Sequence, residues 1–354
     1  MKPSEQLAGM TLANGWKVEK MITRPQHATG GHHSTGYDVV DAKGRQGFLK
    51  AMDYTEALKA SNSPDLLRAY ADAYIFERDV CLACRDRRMS RVVHAIDHGS
   101  IQMKPGDLSS KVEYLIFERA ENDVRLYLDA QAAFDAAFVM RTVHHVATAM
   151  YQLHKGEIAH QDLKPSNVLI FGEVGAKVCD MGRAWSKAHQ SPFDNANVPG
   201  QTGYAPPEQL YGVPRNGSAD ARYTADLYHL GSLITFFFTK SNMNGLLCAF
   251  LPPPMRPALW TGSFEDVLPA LYQAFGQSLQ GFDAAVPTYL KPELITMTTA
   301  LCEPDPAKRG HPTTLKRCNG NTAPAMARPF SLERFISTFD LLAGRASLQY
   351  RHAS

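Results

Sequence analysis

Residues 160–167 read His-Gln-Asp-Leu-Lys-Pro-Ser-Asn, and residues 179–182 read Cys-Asp-Met-Gly. The segments 168–171 and 176–179 between them are mostly apolar and strand-like. Asn and Asp side chains offer the hard oxygen ligands that suit Mg²⁺, and lysine is a compact cation that suits a phosphate. The two stretches therefore indicate a site that handles a charged phosphate group.

The composition is that of an ordinary globular protein with a sizeable core: 354 residues, of which 44% are apolar and 20% are charged. The formal net charge of +2 gives no reason to expect binding to nucleic acid or to an anionic membrane. No apolar run reaches the length of about 18 residues that a membrane span needs, and the N-terminus has no apolar signal core. We therefore expect a cytoplasmic protein.

The order of patterns along the chain predicts an α+β fold. The first third alternates in the manner of strands, with one helical stretch, and the remainder is mainly helical. Strands are predicted at 16–22, 37–41, 47–52, 91–96 and 111–118, helices at 64–89, 132–154 and 332–346, and a loop at 310–329. The change of character near residues 120–123 marks the expected boundary between the two parts.

The two polar stretches resemble the H-R-D-x-K-x-x-N and D-F-G motifs of eukaryotic-like Ser/Thr protein kinases. Asp162 and Asn167 are five positions apart, as that pattern requires. The resemblance runs from about Trp16 to Ala346, and it implies that the strand-like segments 168–171 and 176–179 form a hairpin. It implies the bilobal protein-kinase fold, with a β-rich N-lobe at 1–120 and a mainly helical C-lobe at 121–354.

The resemblance also implies the reaction and its components. Asp162 would be the catalytic base and Lys164 would neutralise the transferred phosphate, while Asn167 and Asp180 would hold Mg²⁺. The cofactors would be ATP and Mg²⁺, and the partner would be a protein substrate phosphorylated on Ser or Thr. The sequence gives neither the identity of that substrate nor the oligomeric state.

Two further residues are expected to position ATP. Lys50, at the end of the strand Phe-Leu-Lys, resembles the V-A-I-K lysine that holds the α- and β-phosphates. The alternative is a solvated lysine on an edge strand. Glu77 on the following helix is the expected partner of Lys50, with Glu56 as a rival that lies too close to the strand.

A glycine-rich stretch at 28–37 stands where the family has its phosphate-covering loop, but a strict G-x-G-x-x-G is absent. The best alignment puts Thr29 at the first glycine, Gly31 at the middle one and Ser34 at the last, and the phosphate-binding candidates are Gly30, Gly31 and Ser34. A plain glycine hairpin is the alternative interpretation.

Residues 117–120 fall where the family places the hinge that binds adenine through its backbone. Phe117 would be a bulky gatekeeper beside the base. Glu118 and Ala120 would offer a backbone carbonyl and a backbone N–H to the nucleotide.

Residues 200–208 resemble the end of a kinase activation segment. Glu208 is expected to form a buried ion pair with Arg309, and Asp226 is expected to brace the backbone of the catalytic loop. Small-molecule phosphotransferases generally lack this apparatus, so it favours a protein kinase over that alternative.

Five positions depart from the family pattern: Gln161 replaces Arg, Met181 replaces Phe, Gln201 stands where a Thr usually contacts the catalytic Asp, Pro206 replaces Ala, and Tyr228 replaces Trp. Since the missing arginine binds a phosphorylated activation loop in many relatives, we expect activity without phosphorylation of that loop. A pseudokinase that binds ATP without turnover is the other alternative. No base, phosphate lysine or metal ligand is missing, which favours catalysis.

Overall fold

The computed structural model describes residues 2–23, 34–131, 133–214, 217–318 and 328–353. Its N-terminal part is a five-stranded antiparallel sheet with the order β1-β2-β3-β5-β4. The strands are β1 Lys17–Met21, β2 Ser34–Val40, β3 Gln46–Met52, β4 Ala95–Gln102 and β5 Lys111–Glu118. Two helices, α1 Thr55–Lys59 and α2 Ser63–Asp86, connect β3 to β4.

The side chains of β3 alternate between the two faces of the sheet, so that neighbouring residues contact different parts of the protein. Leu49 and Ala51 are fully buried in an apolar cluster with Trp16 and Tyr37. Lys50 therefore points to the other face, toward α2 and the helical part of the protein. This alternation is what directs the lysine into the site.

The C-terminal part is helical and surrounds α6, which is buried along almost its whole length. The helices in sequence order are α3 Val124–Ala130, α4 Ala136–Lys155, α5 Pro207–Leu210, α6 Ala219–Thr239, α7 Met243–Phe250, α8 Phe264–Ala285, α9 Lys291–Cys302, α10 Pro312–Cys318 and α11 Glu333–Ala353. Helix α4 packs against α6 and α11 in one large apolar core.

Short strands between the two parts carry the polar stretches. They are β6 Asn122–Asp123, β7 Ile158–Ala159, β8 Val168–Phe171, β9 Gly175–Val178 and β10 Trp185–Ser186. Strands β6, β8 and β9 form one sheet, and β7 pairs with β10. The predicted hairpin is confirmed as β8 and β9, with Val168 opposite Val178.

The sheet region and the helical region confirm the predicted α+β class and the bilobal kinase architecture. The division at residue 120 stays a prediction. Three element predictions were wrong in part: helix α10 lies inside the predicted loop at 310–329, the last helix continues to Ala353, and the helix predicted from 132 begins at Ala136.

The strand predicted at 91–96 was also displaced, since β4 begins only at Ala95 and runs to Gln102. The apolar pair Val92 and Val93 instead meets β9. The N–H of Val93 donates to the Val178 carbonyl at 2.8 Å, and the N–H of Val178 donates to the Arg91 carbonyl at 2.8 Å. An apolar run predicts extended backbone but not its partner, which here lies 85 residues downstream.

One buried ion pair fastens the segment 200–208 to the helical core. The Arg309 guanidinium donates to the two Glu208 carboxylate oxygens at 2.7 and 2.8 Å, and to the Glu303 carbonyl at 2.9 Å. Arg309 is 1% exposed and Glu208 is 8% exposed. The expected pairing is present, and water does not screen it.

We predict that Arg309→Met lowers the free energy of unfolding by about 3–5 kcal/mol, because it leaves a buried carboxylate without its partner. The control is Arg345→Met, since Arg345 pairs with Glu293 at 2.7 Å on a surface where both side chains are about one-third exposed. That change should cost about 1 kcal/mol or less. Urea unfolding followed by circular dichroism measures both, and equal effects would contradict the prediction.

Candidate active site

The loop between β7 and β8 gathers three of the predicted residues into one hydrogen-bonded group. Lys164 Nζ donates to Asp162 Oδ2 at 2.7 Å. The Asn167 amide nitrogen donates to the Asp162 carbonyl at 2.8 Å and to Asp162 Oδ2 at 3.3 Å. All three side chains are at least nine-tenths buried, so their geometry is set by the fold and not by solvent.

Asp226, on α6, holds the backbone of this loop. Its two carboxylate oxygens accept the N–H groups of His160 and Gln161, each at 2.8 Å, and His154 Nε2 lies 2.9 Å away. Gln161 has a φ of 66°, a left-handed conformation that a residue with a side chain rarely adopts. The bonds to Asp226 are the contacts that hold the backbone in this shape.

The Asp226 carboxyl is ionised in the folded protein despite its burial. Burial by itself raises a carboxyl pKa, but the hydrogen bond from His154 and the nearby His229 outweigh it. The net effect is a pKa for Asp226 well below the usual value. A charged acceptor also makes the two backbone hydrogen bonds stronger than neutral ones.

Asp180 follows β9 and faces the sheet region. Its Oδ1 lies 3.6 Å from Lys50 Nζ, and its side chain is 38% exposed. The positive charge of Lys50 lowers the pKa of Asp180 below its ordinary value. Asp180 also has a φ of 66°, and the His160 ring contacts the preceding Cys179 carbonyl at 3.0 Å.

Lys50 and Glu77 lie together, as the sequence predicts. Lys50 Nζ donates to the two Glu77 carboxylate oxygens at 2.6 and 2.8 Å. Burial would lower the pKa of Lys50, but the carboxylates of Glu77 and Asp180 raise it above its ordinary value. The rival Glu56 is exposed on α1, 3.8 Å from Lys59.

The donor set fits a Mg²⁺ ion bound together with phosphates. The Asn167 amide nitrogen faces Asp162, so its oxygen is on the opposite side, and the Asp180 carboxylate is the other hard ligand. Among the described residues, no group of three or more His, Cys, Asp or Glu side chains could hold a metal by itself. Mg²⁺ commonly completes its shell with waters and substrate phosphates, so two protein ligands suffice.

The hinge candidates lie at the end of β5. The Glu118 side chain accepts from Lys177 Nζ at 2.8 Å with each oxygen, and from the His94 N–H at 2.9 Å. The Ala120 carbonyl accepts from the Arg119 guanidinium at 2.6 Å. Contact of the Glu118 and Ala120 backbones with a nucleotide stays a prediction.

The three residues of the proposed phosphate-covering loop are placed only in part. Gly30 and Gly31 lie outside the described residues. Ser34 is the first residue of β2, opposite Met52 at the end of β3. Ser34 therefore lies at the start of β2 and belongs, in sequence, to the stretch 28–37 that is assigned to this loop.

The resemblance places Gln201 where a Thr usually contacts the catalytic Asp, and the structure makes this contact with the backbone in place of a side chain. The N–H of Gln201 donates to Asp162 Oδ1 at 2.7 Å. The preceding Gly200 permits the approach, because a Cβ there would lie 2.4 Å from the Gln161 carbonyl oxygen and 2.7 Å from Asp162 Oδ1. The backbone character of the contact was not predicted, although Gly200 could have indicated the close approach.

A second contact that the sequence did not reveal joins the segment after Asp180 to α6. Arg222 is 5% exposed, and its guanidinium lies 5.2 Å from the Trp185 ring centre. Its Nη1 is 3.8 Å from Asp194 Oδ1, and its carbonyl accepts from the Gln161 amide at 3.4 Å. A carboxylate of the segment itself therefore lies against a buried arginine near the position where the family arginine is missing.

Comparisons with known proteins show which family the chain resembles. The family model described as protein kinase domain matches residues 42–248, which is more than half of the sequence. An Aurora kinase of Debaryomyces hansenii is 23% identical over 314 residues, covering 87% of this chain and 66% of that protein. Cyclin-dependent kinase 9 of Danio rerio is 29% identical over 212 residues, covering 55% of each protein.

A probable serine/threonine-protein kinase PknB of Corynebacterium glutamicum is 30% identical over 148 residues, covering 41% of this chain and 21% of that protein. The chain thus spans less than two thirds of the length of each of these three relatives. In the described part of the protein, no helix has both the length and the apolar character that crossing a membrane requires.

We predict that Asp226→Asn destabilises the protein by about 1–3 kcal/mol at neutral pH, because one backbone N–H then faces an amide NH₂ in place of an acceptor. The stability that comes from a carboxyl with a lowered pKa is present above its unfolded-state pKa of about 3.9 and is lost as the pH falls below that value. The difference between wild type and variant should therefore shrink as the pH falls below about 4.

Urea unfolding at a series of pH values measures this difference. Asp72→Asn is the control, because Asp72 is 56% exposed on α2, where it lies 3.9 Å from Arg68. It should change the free energy of unfolding at pH 7 very little. A gap for Asp226→Asn that widens in acid would contradict the assignment.

Proposed function

Because the chain belongs to the protein kinase domain family, we propose that it transfers the γ-phosphoryl group of ATP to Ser or Thr hydroxyls of a protein substrate. The observation that carries the proposal is the arrangement of two charged groups side by side. One is Asp162 with Lys164 and Asn167, and the other is Lys50 with Glu77 and Asp180. They supply a base, a phosphate cation and metal ligands to one site.

Asp162 is the proposed acceptor of the substrate hydroxyl proton. Its Oδ1 is held by the Gln201 N–H and its Oδ2 by Lys164, so the carboxylate has a fixed orientation. Fixed orientation matters because phosphoryl transfer depends chiefly on positioning and on charge neutralisation. Lys164 adds a positive charge 2.7 Å from the base, where negative charge develops on the transferred group.

Lys50 is the proposed contact of the ATP α- and β-phosphates. Glu77 holds the ammonium group in place, and its own burial leaves few other positions for it. Asn167 and Asp180 are the residues that would hold Mg²⁺, which would neutralise the charge of the ATP phosphates. The Glu118 and Ala120 backbones are proposed to bind adenine, and Gly30, Gly31 and Ser34 to lie over the phosphates.

The structure favours a protein over a small molecule as acceptor. Residues 200–208 are fastened at both ends, by Gln201 to the candidate base and by Glu208 to the buried Arg309. Residues 200–208 are therefore held in place beside Asp162 and form a surface on which a substrate peptide can lie. Lys164 beside the base is the residue type that the family resemblance associates with Ser and Thr acceptors.

We expect Asp180→Ala to abolish labelling of a protein substrate by γ-labelled ATP and Mg²⁺, with a loss of about 100-fold or more, since a metal ligand at the transferred phosphate is removed. The substrates are the protein itself and a generic basic protein. Acid hydrolysis then identifies the phosphorylated residue as Ser, Thr or Tyr.

The control is Asp129→Ala, because Asp129 is 63% exposed and 3.9 Å from Lys240, away from the site. It should label like the wild type. Label on Tyr would overturn the Ser/Thr assignment. Nucleotide binding by the wild type without any label would overturn the proposed transfer to protein.

We also expect that removing phosphate from residues 183–205 changes the rate by less than about twofold. The reason is the Asp194–Arg222 contact, which orders the segment with a permanent charge in place of an added phosphate. Rates are compared before and after treatment with a phosphatase, and mass spectrometry verifies the removal. Inactivation on dephosphorylation would contradict the expectation.

Asp194→Ala tests the same contact from the other side. It should lower the rate even when the phosphorylation state is unchanged, because Arg222 loses its acidic neighbour. The control is the exposed Asp266→Ala on α8, which lies in the first turn of that helix and far from the segment in sequence. If both variants were equally active, the contact would have no role in activity.

A further inference from the structure

A groove in the helical part of the protein lies away from the proposed phosphotransfer site. It consists of two cavities of about 530 and 630 Å³, which share Tyr151, Lys155 and Arg328 in their walls. These walls come from the end of α4, the turn after α2, the end of α10 and the segment 328–334. None of the described residues that are proposed to bind ATP, Mg²⁺ or the transferred phosphate lines this groove.

The groove has a local excess of positive charge. Two carboxylates line it, and both are engaged: Glu157 forms an ion pair with Lys187, and Glu333 accepts from the Tyr151 hydroxyl at 3.1 Å. The cationic side chains that line it are Arg87, Arg88, Lys155, Arg317, Arg328 and Arg334. None of these cations forms an ion pair within the described part of the protein. Since the whole chain has a net charge of only +2, the excess belongs to this surface and not to the composition.

The ends of helices explain only part of this excess. Lys155 ends α4 and Arg317 lies in the last turn of α10, where the negative end of the helix dipole favours a cation. Arg334, however, is in the first turn of α11, where the same dipole disfavours a cation. Arg328 is exposed and lies outside the helices. The fold gives no reason for the positive charge at these two positions, whereas a bound anion would.

The floor of the groove is apolar, which limits the kind of anion that fits. Phe330 and Leu332 are buried beneath the charged rim, and the Tyr151 ring lines both cavities. The Phe330 ring is held in place by Tyr223, with 5.0 Å between the ring centres. A flat anionic bilayer cannot enter a recess, and a nucleic acid has no aliphatic side chain to place on such a floor. A peptide can offer carboxylates to the rim and an apolar side chain to the floor.

We propose that this groove binds an acidic peptide segment of a partner protein. The carboxylates of the segment lie on the cations of the rim, and an apolar side chain of the segment lies against Tyr151 and Phe330. Complementary charge speeds association and selects the partner. The inference goes beyond the proposed function, because binding in this groove requires neither ATP nor Asp162.

The test is titration of a short fluorescein-labelled peptide of glutamates and two leucines with the full chain, followed by fluorescence anisotropy at physiological ionic strength. A second peptide has glutamine in place of every glutamate, and a third has serine in place of both leucines. The acidic peptide should bind. The glutamine peptide should bind about tenfold or more weakly because it lacks charge, and the serine peptide because it lacks the apolar contact. Added salt should weaken binding of the acidic peptide, because exposed charges are screened.

Arg328→Glu combined with Arg334→Glu reverses the two charges that the fold does not explain. This double variant should bind the acidic peptide about tenfold or more weakly than the wild type. A carboxylate in the first turn of α11 is favoured by the helix dipole, so the change at Arg334 should leave that helix folded. The control is Lys43→Glu combined with Lys104→Glu, which changes the net charge equally on two exposed turns of the sheet region. It should bind like the wild type, and urea unfolding verifies that both double variants are folded.

Failure of the acidic peptide to bind the wild type would overturn the proposal, and so would equal binding by the wild type and the groove variant. Equal binding of the serine peptide would overturn the role of the apolar floor. Tighter binding of a single-stranded oligonucleotide of the same charge would assign the groove to nucleic acid instead. Sedimentation with phosphatidylserine vesicles that is lost in the groove variant would assign it to a membrane.

This inference and the proposed function fail separately. Phosphotransfer by the wild type is measured on the same preparation. Peptide binding without phosphotransfer would leave the groove assignment standing and overturn the proposed function, and phosphotransfer without peptide binding would do the reverse.

Discussion

The site depends on one buried carboxylate that binds backbone. Asp226 accepts the N–H groups of His160 and Gln161, and it is fixed because α6 is packed on every side. A left-handed residue such as Gln161 costs about 1–3 kcal/mol in backbone strain unless its surroundings hold it. Two charge-assisted hydrogen bonds are of the right size to offset that cost. Without these two hydrogen bonds, the backbone at Gln161 would relax and the residues after it would move.

The held backbone at Gln161 in turn positions the functional side chains that follow it. Gln161 sets the direction of Asp162, and Asp162 in turn binds Lys164 and Asn167. The Cys179 N–H donates to the Asn167 carbonyl at 3.0 Å, which fixes the residue before Asp180. Polar side chains on an irregular loop are held here by one another and by backbone: Lys164 bonds to the Asp162 carboxylate, and Asn167 bonds to the Asp162 carbonyl.

The parts of the site that are close in sequence could be predicted, and the parts that meet only by folding could not. Residues 160–180 form a hairpin, so their spacing alone brings Asp162 and Asp180 together. Glu77 could be chosen over Glu56 because only a long helix after β3 can return a carboxylate to Lys50.

By contrast, the Gln201 N–H that holds Asp162 belongs to the backbone and has no side-chain signature. The Arg222–Asp194 contact was hidden for a different reason, since arginine and aspartate are common on surfaces and nothing in the pattern of α6 tells that Arg222 is buried beside Trp185. Composition and period report which residues avoid water, and only the tertiary fold decides what they touch.

Strand β9 connects the two ends of the candidate site, the hinge candidate Glu118 and the lysine Lys50. Lys177 points to one end and binds the Glu118 side chain at the hinge candidate, with both oxygens at 2.8 Å. Three residues later, Asp180 lies 3.6 Å from Lys50 at the other end. One strand thus fixes the distance between the residues proposed to bind adenine and the residues proposed to bind the phosphates. Because Val178 of this strand also bonds to the backbone of Arg91 and Val93, the sheet region cannot shift along β9 without breaking these contacts.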